Sequence, residues 1–241
     1  MSLVEHLEEL RTRLVTAMVA IAVGSVAGWF LYDAVVNLLL EPYCDYWQTV
    51  PPDVRPTEEC TLFFMGAVDP VLIKLKVVVF LGLFLALPVV LWELWRFIMP
   101  GLTSRERRMG IPFVLVSVVL FALGALLAYV TLPRALGFLL GFAGSQFVPL
   151  LTGDRFLSFV IMVSLAFGIA FEFPILVVFV NAVGLVTTEQ LRSSRRWVIL
   201  GVTVFAAIIT PSADPYTMLA MMLPMLLFYE VAIIVGRLLH K

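Results

Sequence analysis

Long uncharged runs set the pattern of this chain. Leu14 to Tyr32, Val77 to Trp92 and Ile111 to Pro133 hold no Asp, Glu, Lys or Arg. Phe156 to Gly184 holds one acid, Glu172, and the runs Trp197–Ala213 and Pro215–Tyr229 follow it. A bilayer core about 30 Å thick is crossed by roughly 20 helical residues. Backbone in lipid must satisfy its own hydrogen bonds, and no segment alternates apolar and polar residues as barrel strands do. The pattern therefore predicts six transmembrane helices. Ahead of the first, Leu3, Leu7, Leu10 and Leu14 mark one face of an amphipathic helix running into that span.

Composition removes the soluble alternatives. Hydrophobic residues make up 62% of the 241 and charged residues 14%, against about 45–50% and 25% in soluble domains. Mean hydropathy is +1.06. With a net charge of −1 there is no basic field for nucleic acid. The chain reads as a single six-span domain over residues 1–241, an all-α bundle with a concave face.

Placement of the few cations then gives orientation. Arg11, Arg13, Arg96, Arg105, Arg107, Arg108, Arg192, Arg195, Arg196, Arg237 and Lys241 fall on one side; Arg55, Lys74, Lys76, Arg134 and Arg155 fall on the other. That bias predicts both termini in the cytoplasm and the 33–70 link outside. Ser25-Val26-Ala27 has the small residues of a signal cleavage site. Glu5, Glu8 and Glu9 before the run, and apolar residues beyond the cut, favour an uncleaved anchor.

Cys44 and Cys60, the two cysteines, both lie in the 33–70 link beside Pro42, Pro51, Pro52, Pro56 and Pro70. The prolines predict an irregular loop. Thiols facing an oxidising compartment are candidates for a bridge, the alternative being two unpaired thiols. The fifth and sixth spans look short. Trp197 to Thr210 would make a helix only about 21 Å long, and Pro211, Pro215 and Pro224 restrict extension. Short spans thin the bilayer or recruit partners.

Local chemistry offers modest roles for the cytoplasmic acids. Glu9 has i,i+4 spacing to Arg13 for an ion pair. Glu106 closes Thr103-x-x-Glu106, the spacing of a capping box after Pro100-Gly101. Glu172 is different, because an ionised acid near mid-bilayer costs about 2.5–3.5 kcal/mol. It predicts a protein-lined or watery surrounding, and Pro174 predicts a kink beside it. Glu230, near the inner end of the last run, reads as structural. The sequence contains no His/Glu metal pair, no Gly-x-Ser-x-Gly elbow and no Walker-type loop. No cofactor, metal or catalytic residue is expected.

Four segments, in order, carry a family resemblance. They are His6-Leu-Glu-Glu-Leu-Arg-Thr-Arg-Leu14; Trp95-Arg-Phe-Ile-Met-Pro-Gly-Leu102 with Glu106-Arg107-Arg108; Phe171-Glu-Phe-Pro174; and Thr210-Pro211. The chain resembles the TatC family, receptor subunits of the twin-arginine protein translocase, over essentially its whole length. The resemblance implies that Glu9 and Glu106 receive the paired arginines of an export signal, with Arg11 and Phe97 in the same signal-peptide site. A planar guanidinium can give a carboxylate two parallel hydrogen bonds, which lysine cannot. It also implies an intramembrane polar role for Glu172 and a role for Asp214, although Thr-Pro-Ser-Ala-Asp is one residue longer here than in some relatives. The implied setting is the bacterial plasma membrane, with folded precursor proteins, single-span subunits of the TatA/TatB type, self-association, and transport driven by the proton gradient. The alternative is a small-solute secondary transporter, for which Glu172, Asn181 and Pro174 would be the polar interruption at mid-membrane.

Overall fold

The computed structural model describes residues 3–51, 60–98, 110–141, 151–211 and 214–239. Among them the chain is helical apart from its links: α1 Leu3–Thr49, α2 Asp69–Ile98, α3 Gly110–Gly141, α4 Gly153–Phe171, α5 Phe173–Ala182, α6 Thr188–Ser193, α7 Arg195–Ile209 and α8 Pro215–Leu239. Five helical stretches among the described residues are long and apolar enough to cross a membrane, with α4 and α5 together forming one of them. The fifth of the anticipated spans corresponds to α7, whose 15 residues reach about 22 Å.

Two expectations need correction. The segment 33–70 is not irregular from its start, because α1 runs on to Thr49 with Pro42 inside it. Leu39, Tyr43 and Trp47 recur at four-residue spacing and are all buried. The Tyr43 ring lies 5.4 Å from that of Phe156 on α4. Burial of this face outweighs the backbone hydrogen bond that Pro42 forfeits. Likewise, the last span is not short. Helix α8 continues through Glu230 to Leu239 and holds Pro224 within its 25 residues. The acid does not end the apolar face, because Ala232 and Ile233 beyond it are buried.

The chain divides into two compact units, Met1–Ala34 with Lys74–Val119, and Val35–Ile73 with Leu120–Lys241. In the first, α1 crosses α2 where both carry small residues. A methyl group added to Gly24 would stand 2.5 Å from the carbonyl oxygen of Gly82, and one added to Gly28 would stand 2.9 Å from Leu81 Cβ. Glycine is required for this close approach, the small-xxx-small arrangement by which membrane helices maximise packing. Further along, Lys74 Nζ sits 4.2 Å above the Trp29 ring and 4.9 Å from the Tyr32 ring centre.

In the second unit α4, α5, α6 and α7 all pack on α8. Ala128, Val163, Phe167, Phe171, Val202, Ala206, Met221 and Met225 belong to one buried cluster drawn from α3, α4, α7 and α8. Cys44 and Cys60 are joined in a disulfide. Just after it, the chain pairs with the start of α4, Gly153 N–H donating to Phe63 C=O at 2.7 Å. The Tyr129 hydroxyl of α3 donates to Glu41 at 2.7 Å.

Candidate functional site

The N-terminal turns of α1 and the last turns of α2 meet within the first unit. The heptad-like leucines of α1 leave Glu9 and Arg13 one turn apart, and α2 brings Glu93 up to them. Arg13 splits its guanidinium between two carboxylates, with Nη2 to Glu9 Oε1 at 3.3 Å and Nη1 to Glu93 Oε2 at 3.0 Å. The other Glu93 oxygen lies 3.6 Å from Arg96 Nη1. Two acids and two bases therefore balance in charge. Burial grades across them: the side chain of Glu93 is 8% exposed, that of Arg13 24% and that of Glu9 17%.

Saturation is incomplete. Glu9 Oε2 and Arg13 Nε are buried and have no hydrogen-bond partner among the described residues. A buried acceptor with no donor is costly unless something supplies one. Beneath these groups lies a cavity of about 150 Å³ lined by Leu10, Leu14, Ala17, Val90, Leu94 and Phe97 as well as Arg13 and Glu93. The Phe97 ring stacks on His6, with centroids 4.5 Å apart. Carboxylate, apolar pocket and aromatic wall together can take a cationic group with an apolar neighbour, the chemistry of a basic peptide.

The structure brings some of the anticipated residues together and leaves others apart. Phe97 lines this cavity, and Glu9 is joined to it through Arg13. Arg11 is exposed and lines an open cleft on another face of α1 with Glu5, Glu8, Glu9 and Thr12. Glu106 and its capping partner Thr103 lie outside the described residues. The ion pair of Glu9 with Arg13 is present, so the local role and the binding role use the same carboxylate. Glu93 was not among the sequence candidates. It ends an otherwise uncharged run; its i,i+3 spacing to Arg96 suggests only a local pair, and its partner Arg13 is 80 positions away.

Glu172 falls in the second unit, where α4 gives way to α5. Its N–H turns back to Ile169 C=O at 3.1 Å, tightening the last turn before Pro174. The side chain is half-buried. Close by, Phe173, Val198, Gly201, Val202, Phe205 and Met225 line an apolar cavity of about 330 Å³. Asp214 is 1% exposed and caps α8. Its Oδ1 accepts from Thr217 N–H at 2.8 Å, and its Oδ2 accepts from the Thr217 hydroxyl. Glu230 pairs with Arg195 at 2.5 Å. Among the described residues, no three of His, Cys, Asp and Glu gather in a way that could hold a metal ion.

The family described as Sec-independent protein translocase protein (TatC) matches residues 5–224. The chain is 47% identical over 238 residues to the Sec-independent protein translocase protein TatC of Frankia casuarinae, an alignment covering 98% of this chain and 65% of that protein. It is 40% identical over 241 residues to the TatC of Aquifex aeolicus, covering 99% of this chain and 95% of that one. A crystal structure of a twin-arginine translocase receptor, TatC, superposes with a TM-score of 0.76 at 38% identity, covering 98% of this chain and all of that one.

Proposed function

Because the chain belongs to the TatC family of Sec-independent protein translocase proteins, we propose that it is a membrane receptor for the twin-arginine signals of folded precursor proteins. The half-buried Glu9 carboxylate carries this reading. One of its oxygens is bound to Arg13 and the other is buried with no hydrogen-bond partner among the described residues, while Arg13 itself lines the apolar pocket walled by Phe97. An arriving guanidinium would find an acceptor there, and the apolar stretch of the signal would find greasy lining. Glu106 supplies the second carboxylate for the second arginine and Phe97 an aromatic wall, while Arg11 contributes from the open cleft that Glu9 also lines.

The rest of the reading follows the family. Six spans, with α7 as the short fifth, leave both termini in the cytoplasm of a bacterial cell whose plasma membrane the chain crosses. Glu172, at the break between α4 and α5, gives a partner helix or the passing substrate a polar contact inside the membrane. No nucleotide-binding loop occurs in the sequence, and the proton gradient is taken as the driving force from the family resemblance. Single-span TatA/TatB-type subunits and further copies of this chain complete the pathway, since one bundle of this size cannot enclose a folded protein.

The test is peptide binding to the purified full chain in lipid nanodiscs. Glu9→Ala and Glu106→Ala should each weaken a twin-arginine peptide by about tenfold or more, the scale of a lost charged hydrogen bond. A twin-lysine peptide should lose less. Equal, small losses for both peptides would overturn the reading. Solute uptake by liposomes holding this chain alone would instead support a secondary transporter.

A further inference from the structure

Arg13 presents the same chemical group that an arginine signal would bring, and it already occupies the carboxylate assigned to read that signal. Its two ends are not equivalent. The bond to Glu93 is the shorter, 3.0 Å against 3.3 Å, and Glu93 is the more buried acid. Glu93 is also held from its other side by Arg96. Glu93 is therefore the fixed anchor of Arg13, and Glu9 the end that can be given up. An incoming guanidinium that binds Glu9 through two parallel bonds needs the oxygen that Arg13 Nη2 now occupies. Arg13 can leave Glu9 without becoming an unpaired, half-buried cation only because Glu93 stays behind to hold it.

We propose that Arg13 is an internal placeholder for the signal's arginine, and that Glu93 is the positioning residue that retains Arg13 when Glu9 exchanges partners. This rests on the reading of Glu9 given above. Ligand specificity follows from it. A guanidinium replaces a guanidinium at Glu9 with its geometry conserved, whereas an ammonium makes one point contact and competes poorly against Arg13. The resting contact thus screens against lysine before any second carboxylate is engaged.

The consequence is a rescue that packing alone does not predict. Glu93→Gln removes the anchor's charge with little change of shape, so Arg13 settles wholly on Glu9 and blocks it. Binding of a fluorescent twin-arginine peptide to the full chain in nanodiscs should weaken about tenfold. Adding Arg13→Gln to Glu93→Gln removes the competitor and should restore affinity to within about threefold of the parent. A structural role for Glu93 predicts no recovery in the double variant. Arg13→Lys alone, which cannot span both acids, should tighten the peptide about threefold and narrow the gap to twin-lysine. This variant decides the matter if Glu93→Gln does not yield folded protein by size exclusion and circular dichroism. Loss of binding in Arg13→Lys, or no recovery in a folded double variant, overturns the placeholder while Glu9→Gln still weakens the peptide. If Glu9→Gln leaves binding unchanged, the reading of Glu9 fails and the placeholder fails with it.

Discussion

Asp214 shows how a single buried acid can be structural. It precedes Pro215, which takes the first helical position where no N–H is missed, and it accepts from both the N–H and the hydroxyl of Thr217. Both residues are buried, so Asp214→Ala removes the carboxylate acceptor of the Thr217 N–H and leaves the hydroxyl its longer bond to the Asp214 carbonyl. Asp214→Ala should cost about 1–2 kcal/mol, the upper range for a lost N-cap, while Asp214→Asn should cost less. Thermal unfolding of the full chain in detergent, followed by helical signal, reads the difference. Matching melting temperatures for Asp214→Ala and the parent would remove the capping role. The Glu9–Arg13 pair was legible from the sequence, since i,i+4 spacing on a helix is local geometry. Glu93 was not, because its i,i+3 spacing to Arg96 offers a purely local partner and α2 brings it to Arg13 from far along the chain.

At the scale of helices, run length picked out the five stretches long and apolar enough to cross a membrane, and proline was the weaker guide. Pro42, Pro88, Pro133 and Pro224 all lie inside helices. In a membrane protein the freed carbonyl can be met by a neighbour, and the alternative of unbonded backbone in lipid is worse. Pro174 is the exception, standing at the start of α5 just after the helix is interrupted at Glu172. What the runs did not reveal was where helices touch. Gly82 faces Ser25 and Ile21 of α1 so closely that any side chain there meets backbone. Gly82→Val should therefore destabilise the chain by about 1–3 kcal/mol, as overpacking does. Gly201 on α7 has nothing within 4 Å of an added methyl, so Gly201→Ala should stabilise by about 0.5–1 kcal/mol through helix propensity. Opposite signs in one denaturation series check both positions. Equal shifts would mean that the α1–α2 crossing is not held by its glycines.

Across the whole molecule, covalent and lipid constraints act on different parts. The Cys44–Cys60 bond closes a separation of 16 residues and ties the end of α1 to the strand-like segment that pairs with α4. In the chain-entropy model a loop of this size is stabilised by about 3 kcal/mol. Cys44→Ser with Cys60→Ser should lower the melting temperature, and a maleimide should label neither cysteine in the parent before reduction. On the proposed six-span topology the bilayer acts instead on α7. Its 15 residues reach about 22 Å, short of a hydrocarbon core of about 30 Å, while α8 with 25 residues is long enough to span it. Both helices belong to one packed cluster through Val202, Ala206, Met221 and Met225, so α7 cannot adjust its depth without moving α8. With α7 as the proposed fifth span, the mismatch is met by lipid thinning beside it, at a cost of a fraction of a kcal/mol per Å. Stability should accordingly rise as the bilayer becomes thinner. Full chain in vesicles of short-chain lipid should resist denaturant better than in vesicles of long-chain lipid, and four apolar residues inserted within α7 should shift the preferred thickness upward. Stability independent of chain length, in both the parent and the lengthened variant, would show that α7 imposes no thinning.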